Sequence, residues 1–453
     1  MSHWSFDSIF YHIYPLGMTG APERNDFSSP PAPRLEQLYA WIGHLKSLGV
    51  NALYLGPLFE SSAHGYDTAD YYHVDRRLGA DETLVHLSAA LHANGIRLVL
   101  DGVFNHVGRD FWAFHDVQAR GWDSPYKDWF YNLRFDSRSP YGDAFSYEGW
   151  AGHYDLVKLN LSHPAVREHL FGAVASWMDR FAVDGLRLDA ADVIDADFLR
   201  ALAAFCRARR PDFWLMGEIV HGDYRRLANP QTLDSVTNYE CYKGLYSSLV
   251  DANYFEIAYA LNRQFGDGGL YTSLPLYAFA DNHDVNRVAS NLTKPAHLYP
   301  LYCLLFTMPG VPSIYYGSEW GLAGTRNNGS DRPLRPFIDL ADVRQNGPLP
   351  DLVAAISRLA HLRHQTPALR RGDYRQLFVA HEQFAFARQV DGQQVVVLLN
   401  ASEQPAAFDV PLAAHGAHHA VDLLNPDERF PCSDGRLRVD NVWPNWARVL
   451  LVQ

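Results

Sequence analysis

The stretch GLRLDAADV, from Gly185 to Val193, places charged residues inside an apolar run that has the length of a buried strand. The charged residues are Arg187, Asp189 and Asp192. Burying a charge costs free energy unless a partner compensates it, so such a strand needs charged or polar neighbours in the fold. The stretch therefore predicts a buried, charged site at the end of a strand.

Short apolar runs like this one recur along the chain, with helical patterns between them. Strands that alternate with helices predict parallel pairing, and eight such units close most economically into a (β/α)8 barrel. An open doubly wound sheet is the alternative, but no GxGxxG follows the first predicted strand. The predicted strands are Ile9–Tyr14, Val50–Gly56, Ile96–Val103, Asp184–Asp189, Phe213–Glu218, Ser235–Asn238, Tyr277–Asp281 and Pro312–Tyr316.

Two segments depart from this alternation. Residues 107–157 follow the third predicted strand as a long, aromatic-rich connection, which predicts a small inserted domain over one face of the barrel. From about Arg371, strand-like runs such as QQVVVLLN are separated by turns, which predicts an antiparallel β-sandwich. The predicted α/β fold therefore has a barrel of residues 1–106 and 158–370, an inserted domain of residues 107–157 and a C-terminal sandwich of residues 371–453.

Composition and charge narrow the class of protein. The chain has 51 acidic and 39 basic residues and a net charge of −12, which argues against a nucleic-acid partner. It contains no apolar run of about 18 residues and no basic N-terminal segment followed by an apolar one, so we expect neither a membrane span nor a secretion signal. The four cysteines are scattered without CxxC spacing, which predicts reduced thiols and a cytoplasmic protein.

Acidic residues stand at the ends of several predicted strands, and strand ends of a barrel of this type converge on one mouth. Carboxylates crowded in a partly dry pocket cannot all ionise easily, so one is favoured as an acid, while Arg187 keeps another ionised. One acid and one base or nucleophile are what glycoside cleavage needs. For any one of these acids taken singly, the alternative to a catalytic role is a salt bridge that holds a loop in place. The polar residues concerned are Asp101, His106, Asp189, Glu218, His283 and Asp284.

Four segments resemble the ordered signature segments of the α-amylase family, glycoside hydrolase family 13. They are DGVFNH (101–106), GLRLDAADV (185–193), GEIV (217–220) and FADNHD (279–284). FYHIYPLG, HGYDTADY and GVPSIYYGSE extend the resemblance over essentially the whole chain. The family cleaves α-glucosidic bonds with retention and needs no organic cofactor, so the resemblance implies a glycoside hydrolase with no required cofactor.

The resemblance also implies roles for individual residues. Asp189 would be the nucleophile, Glu218 the general acid/base, and Asp284 the acid that binds and distorts the sugar. Arg187 would orient Asp189. The remaining expected sugar contacts are His106 and His283 by hydrogen bonds, Tyr66 by stacking, Asp67 from the same segment as Tyr66, and Asp331 with Arg335 from the loop after the eighth strand. For Asp331 and Arg335, a simple loop ion pair is the alternative.

Within the family, YDLVKLNLSHPAVREHL (154–170) is similar to a segment of the cyclomaltodextrinase, neopullulanase and maltogenic amylase group. Those enzymes are typically intracellular and act on cyclodextrins, maltooligosaccharides or pullulan. The group usually carries an N-terminal domain that helps form a dimer, and we expect this chain to lack it, which leaves a homodimer possible but open. Val220 stands where the group commonly has Trp, and Asp192–Val193 replace a Lys-His pair of many α-amylases.

We therefore expect a retaining hydrolase of maltooligosaccharides, cyclic maltodextrins or related α-glucans, with an oligosaccharide substrate and no membrane or nucleic-acid partner. A transglycosylase or isomerase acting on sucrose, trehalose or maltose is the alternative, because it would use the same residues. A binding protein without catalysis would be expected to lose the acids. His106 and His283 lack the spacing of a zinc site, while Asn105 matches a calcium ligand of many α-amylases, so calcium is possible.

Overall fold

The computed structural model describes residues 3–413, 416–426 and 428–453, and its centre is a barrel of parallel strands. Parallel pairs join the strands in the order seven, eight, one, two, three, four, five, six, and a bridge from Thr237 to Tyr277 closes the ring. Every predicted strand overlaps one of these strands, so the barrel prediction is confirmed. The barrel strands are Phe10–Ile13, Ala52–Leu55, Arg97–Gly102, Gly185–Leu188, Trp214–Gly217, Ser235–Val236, Tyr277–Phe279 and Val311–Tyr315.

Alternation along these strands explains the charges in GLRLDAADV. Side chains two residues apart point to the same face of a strand, so the inward positions form layers inside the barrel. The lower layers are apolar and include Phe10, Trp214 and Tyr277. The layer above them is polar. It contains Asp101 and Arg187, which are register partners on the third and fourth strands.

Helices cover the outside of the barrel, which buries the strands on both faces. Between the first and second barrel strands, the chain forms a 3-10 turn, Arg34–Leu38, which continues as an α-helix over Tyr39–Ser47. Gly49 follows with a φ of +81°, as a helix-ending glycine does. The longer helices that follow are Asp81–Ala93, Pro164–Arg180, Ala196–Arg209, Tyr239–Val250, Phe255–Phe265, Leu298–Thr307 and Pro350–Gln365.

The connection after the third barrel strand forms its own small layer. Strands His106–Gly108, Gly149–Trp150 and His153–Lys158 make an antiparallel sheet, and the helix Trp112–Arg120 packs beside it. Phe114 meets Phe145 and Tyr147 edge to face, which gives the segment an aromatic core. The domain boundaries themselves stay a prediction.

The C-terminal part is antiparallel, as predicted. Its sheet folds over so that two layers enclose apolar side chains, among them Val396, Phe408 and Leu437. None of the described helices is long and apolar enough to cross a membrane. The strands of this part are Asp373–Val379, Gln383–Val390, Gln393–Asn400, Ala406–Pro411, His419–Asp422, Arg429–Ser433, Arg436–Val442 and Trp446–Val452.

Candidate active site

A cavity of about 1290 Å³ opens at the C-terminal ends of the barrel strands. Asp189, Glu218 and Asp284 all line it, although they follow three different strands. Pockets for small molecules occupy roughly 300–1,000 Å³, so this cavity has room for a ligand of several sugar units. The structure therefore brings the three predicted catalytic acids to one cleft.

Arg187 is the centre of the acidic cluster. Its Nη1 donates to Asp189 Oδ1 at 2.8 Å and to Asp101 Oδ1 at 3.0 Å, and its Nη2 lies 2.8 Å from Glu218 Oε2. Tyr54 donates to the remaining oxygen of Asp101 at 2.7 Å. One buried guanidinium thus serves three carboxylates, which explains how GLRLDAADV tolerates charge in a barrel interior.

Burial and crowding set the protonation of Asp189. Desolvation raises the pKa of Asp189 well above its ordinary value, and the negative charges of Glu218 and Asp101 add to this, while Arg187 opposes it. Glu218 has further contacts: the backbone N–H of Ala190 donates to Oε2 at 3.1 Å, and the Tyr239 hydroxyl lies 3.4 Å from Oε1. Both carboxylates are therefore held in fixed positions, and one guanidinium is common to them.

The surroundings of Asp284 shift its pKa in the opposite direction to that of Asp189. Burial disfavours its charge, but His283 and then Arg335 outweigh burial and lower the pKa of Asp284 far below its ordinary value. His283 Nε2 lies 2.8 Å from Asp284 Oδ2, and Arg335 Nη2 donates to Oδ1 at 2.8 Å. Asp284 is thus held as a carboxylate in the same cleft in which burial favours a proton on Asp189.

The pair Asp331 and Arg335 lies at this end of the cleft. Arg335 donates to Asp331 at 3.1 Å as well as to Asp284, so it connects two carboxylates. Arg326 donates to the other oxygen of Asp331 at 2.5 Å and to the backbone oxygen of Asp284 at 3.0 Å. The pair is therefore part of a network around Asp284, and it is more than a local ion pair.

His106 lies beside Asp189 in the cleft. Its Nε2 is buried, has no hydrogen-bond partner among the described residues, and lies 3.9 Å from Asp189 Oδ2. Burial lowers the pKa of His106 to about 3, so the ring is neutral at ordinary pH. A neutral ring with a free nitrogen can exchange a hydrogen bond with a sugar hydroxyl.

Tyr66 and His283 form a stacked pair with ring centroids 5.4 Å apart, and Tyr66 lines the cavity. The Tyr66 hydroxyl contacts both His283 Nε2 and Asp101. His283 Nε2 therefore already contacts two protein groups, and in this structure it positions Asp284. Its contact with a sugar stays a prediction.

Asp67 lies behind the cleft wall. Its Oδ1 accepts hydrogen bonds from the backbone N–H groups of His64 and Gly65, each at 3.1 Å. These bonds order the turn that presents His64 and Tyr66 to the cavity. The structure thus gives Asp67 a role in shaping the loop, and its contact with substrate stays a prediction.

Sequence reasoning missed two residues of the cleft, Tyr239 and Phe337. Tyr239 contacts Glu218 and accepts a hydrogen bond from Asn282 at 3.0 Å, and Phe337 is exposed on the cleft wall. Trp150 lines the cavity with its ring centroid 5.6 Å from that of His106. Tyr239 was detectable in principle, because it follows the end of a barrel strand.

The described residues contain no group of three or more His, Cys, Asp or Glu side chains placed to hold a metal ion. The amide nitrogen of Asn105 lies 3.2 Å from Nδ1 of His106, and this contact does not involve the side-chain oxygen, which is the atom that calcium would bind. Calcium binding at Asn105 stays a prediction.

Comparison with known proteins identifies the family. The model of the alpha amylase catalytic domain matches residues 38–358, which is more than half of the chain. The chain belongs to the α-amylase family. A model of the neopullulanase-like C-terminal domain matches residues 374–447 of this α-amylase-family protein.

Individual relatives within the α-amylase family agree with this assignment. A cyclomaltodextrinase from Bacillus sp is 32% identical over 88% of this chain and 73% of its own length. An intracellular maltogenic amylase of Bacillus subtilis (strain 168) is 30% identical over 81% of this chain and 63% of its own length. The structure of the cyclic α-maltosyl-(1→6)-maltose hydrolase from Arthrobacter globiformis, in its ligand-free form, superposes with a TM-score of 0.82 at 26% identity, and the match covers 100% of both chains.

Proposed function

We propose that this protein hydrolyses α-glucosidic bonds in maltooligosaccharides, cyclic maltodextrins or related α-glucans, with retention of anomeric configuration. The observation that carries the proposal is the single guanidinium of Arg187, which contacts Asp189 and Glu218 at 2.8 Å each. Retaining glycosidases need their two carboxyl groups only about 5 Å apart, so that one can attack the anomeric carbon directly. A shared guanidinium favours such a short separation.

In the first step Asp189, in the carboxylate form that Arg187 favours, attacks the anomeric carbon through one Oδ, while Glu218 donates a proton to the departing glycosidic oxygen. The carbon–oxygen bond breaks, and a β-linked glucosyl ester forms on Asp189. In the second step, Glu218 takes a proton from water, whose oxygen attacks the same carbon and releases Asp189. One water is consumed, and two inversions restore the α configuration.

The surrounding residues support this sequence of steps. Arg187 holds Asp189 and Glu218 in position, and Asp284 with Arg335 offers a fixed negative and a fixed positive charge to hydroxyls of the bound sugar. The free Nε2 of His106 lies on the nucleophile side and is suited to a sugar hydroxyl. Preorganised polar groups of this kind stabilise the transition state because they need little reorganisation.

The proposed substrate class is supported by relatives as well as by the cleft. The Bacillus relative is a cyclomaltodextrinase, and the Arthrobacter globiformis neighbour hydrolyses a cyclic maltosyl sugar. We infer an intracellular location from the Bacillus subtilis relative, which is named an intracellular enzyme.

The test is a substrate panel. The purified protein is incubated with a cyclodextrin, a linear maltooligosaccharide, pullulan, sucrose and trehalose, and the products are separated chromatographically over time. Ring opening, or cleavage of linear or branched glucans to short sugars, is expected, with Asp189→Asn as the inactive control. Conversion of sucrose or trehalose together with inert glucans would overturn the proposal and favour a transglycosylase or isomerase.

A further inference from the structure

The cleft wall after the eighth barrel strand carries an aromatic side chain with no role in the mechanism above. Phe337 lines the cavity and is 56% exposed. A phenyl ring that faces water leaves apolar surface hydrated, and covering that surface with a ligand is favourable. The substrate can therefore cover this ring, because the ring lies inside a cleft large enough for a sugar.

The ring is held on a well-supported backbone. The N–H of Ile338 donates to the oxygen of Met18 at 3.3 Å, and the Tyr316 hydroxyl donates to the oxygen of Pro336 at 2.9 Å. These bonds fix the residues on both sides of Phe337 to the barrel. The ring is therefore presented by an anchored segment, which limits the entropy lost when a ligand packs on it.

A glycine makes room for the ring on the opposite loop. Gly20 adopts a φ of +64°, and a Cβ built on it would lie 3.2 Å from the Phe337 ring. A larger side chain at this position would crowd the ring as well as strain the backbone. The close approach of Gly20 thus supports one edge of the ring while its other side stays open to the cavity.

The position on the wall indicates which part of a substrate would meet the ring. Two residues before Phe337, Arg335 binds the carboxylate of Asp284, the acid proposed to hold the sugar unit whose bond is cleaved. Glu218, which protonates the leaving group, lies with Val220 after the fifth strand, and it contacts Tyr239 at the start of the helix that follows the sixth strand. Phe337 therefore belongs to the wall on the non-reducing side of the cleaved bond.

We propose that Phe337 is a platform on which a glucose unit beyond the cleaved one stacks, so that it sets the preference for substrates with two or more units on the non-reducing side. Pyranose rings expose an apolar C–H face that packs on aromatic rings. The inference rests on the proposed hydrolase function and adds a specificity-determining residue to it.

The experiment compares 4-nitrophenyl α-glucoside, α-maltoside and α-maltotrioside, which place one, two and three units before the same leaving group. In Phe337→Ala, kcat/KM for the maltoside and maltotrioside is expected to fall about three- to tenfold, the range of a single aromatic contact, with the glucoside unchanged. Phe337→Tyr keeps the ring and should match the wild type. Tyr259→Ala is the matched control, because Tyr259 is 70% exposed on the helix Phe255–Phe265, outside the cleft.

Three other results would contradict the proposed role of Phe337. An equal change for all three substrates, or no change, would overturn the platform while leaving the hydrolase function intact. A fall in the mass of Phe337→Ala by light scattering, with no dependence on substrate length, would assign the ring to a contact between copies of the chain and would also overturn it. If the wild type released nitrophenol from none of the substrates and cleaved no glucan in the panel, the proposed function would fail and the platform with it.

Discussion

Arg187 and Asp189, two residues apart on one strand end, form an ion pair of 2.8 Å in which the same guanidinium also reaches Glu218 at 2.8 Å. The planar fork of an arginine can serve both carboxylates at once, whereas a lysine ammonium is a single point charge on a flexible stem. The geometry of the proposed nucleophile and acid therefore depends on a guanidinium and not merely on a positive charge.

Arg187→Lys should keep the charge and lose the geometry. We expect kcat/KM for a maltooligosaccharide to fall by about 10²-fold or more, since removing one preorganised electrostatic contact costs about 10²–10³ in rate. Arg187→Ala should in addition destabilise the fold by about 3–5 kcal/mol, because it leaves buried carboxylates without their partner. Kinetics and urea denaturation of both variants check this, and a lysine variant within threefold of wild-type activity would contradict it.

Asp189→Asn should gain stability relative to the wild type as pH rises. The folded protein raises the pKa of Asp189, mainly by burial, so this group binds its proton more tightly when folded. Its contribution to stability is fully present below the unfolded pKa of about 3.9 and is lost as pH rises through the folded value. Asparagine does not titrate and avoids that loss.

The measurement is the melting temperature of both proteins from pH 4 to pH 8. The difference should be smallest near pH 4 and should increasingly favour Asp189→Asn toward neutral pH. Asp409→Asn, an exposed aspartate paired with Arg436 in the C-terminal part, is the control in which no such gain is expected. A constant difference across the range would contradict the assignment of a raised pKa to Asp189.

The decrease of kcat/KM at low pH, the acidic limb of the rate profile, should reflect protonation of Asp189. Asp189 must be ionised to attack, so kcat/KM should fall as pH drops through its raised pKa in the free enzyme. The limb is therefore expected above about pH 4, the range of an ordinary aspartate. Arg187→Ala should move it further upward, because the positive charge that lowers the pKa of Asp189 is gone. A limb at the ordinary position, unmoved in the alanine variant, would point to another group.

Arg335→Gln should lower catalytic efficiency, because it removes a contact that holds the Asp284 carboxylate in place. Without this cation Asp284 keeps its contact with His283 but loses the hydrogen bond that fixes its other oxygen, so the carboxylate is held less firmly. We expect kcat/KM to fall about 10- to 100-fold. Arg326→Gln is the matched control, because Arg326 contacts Asp331 and the Asp284 backbone but not the Asp284 carboxylate. Equal effects of the two variants would contradict the role given to Arg335.

The sequence predicted the barrel well because buried strands and amphipathic helices leave periodic signals. The convergence of Asp189, Glu218 and Asp284 followed from the same topology, since parallel strands of a closed barrel end at one mouth. Strand ends were less accurate: the fourth strand is Gly185–Leu188, within the predicted Asp184–Asp189, because residues at the mouth leave the ladder.

Local side-chain orientation was beyond the sequence. Asp67 lies next to Tyr66 in the chain, yet its carboxylate binds backbone N–H groups behind the wall. Phe337 and Phe279 are both phenylalanines, yet Phe337 is exposed in the cleft and Phe279 is buried inside the barrel. Only the tertiary packing distinguishes them. Exposure depends on contacts between distant segments, which periodicity does not encode.

Trapping the glucosyl ester on Asp189 tests the proposed mechanism at its covalent step. Glu218→Gln is incubated with 2-deoxy-2-fluoro-α-maltosyl fluoride, whose fluoride leaves without needing a proton, and the digested protein is analysed by mass spectrometry. We expect one added glycosyl group on the peptide that contains Asp189, and none when Asp189→Asn is combined with Glu218→Gln. Label on a different carboxylate, or turnover without any adduct and with inverted product, would contradict it.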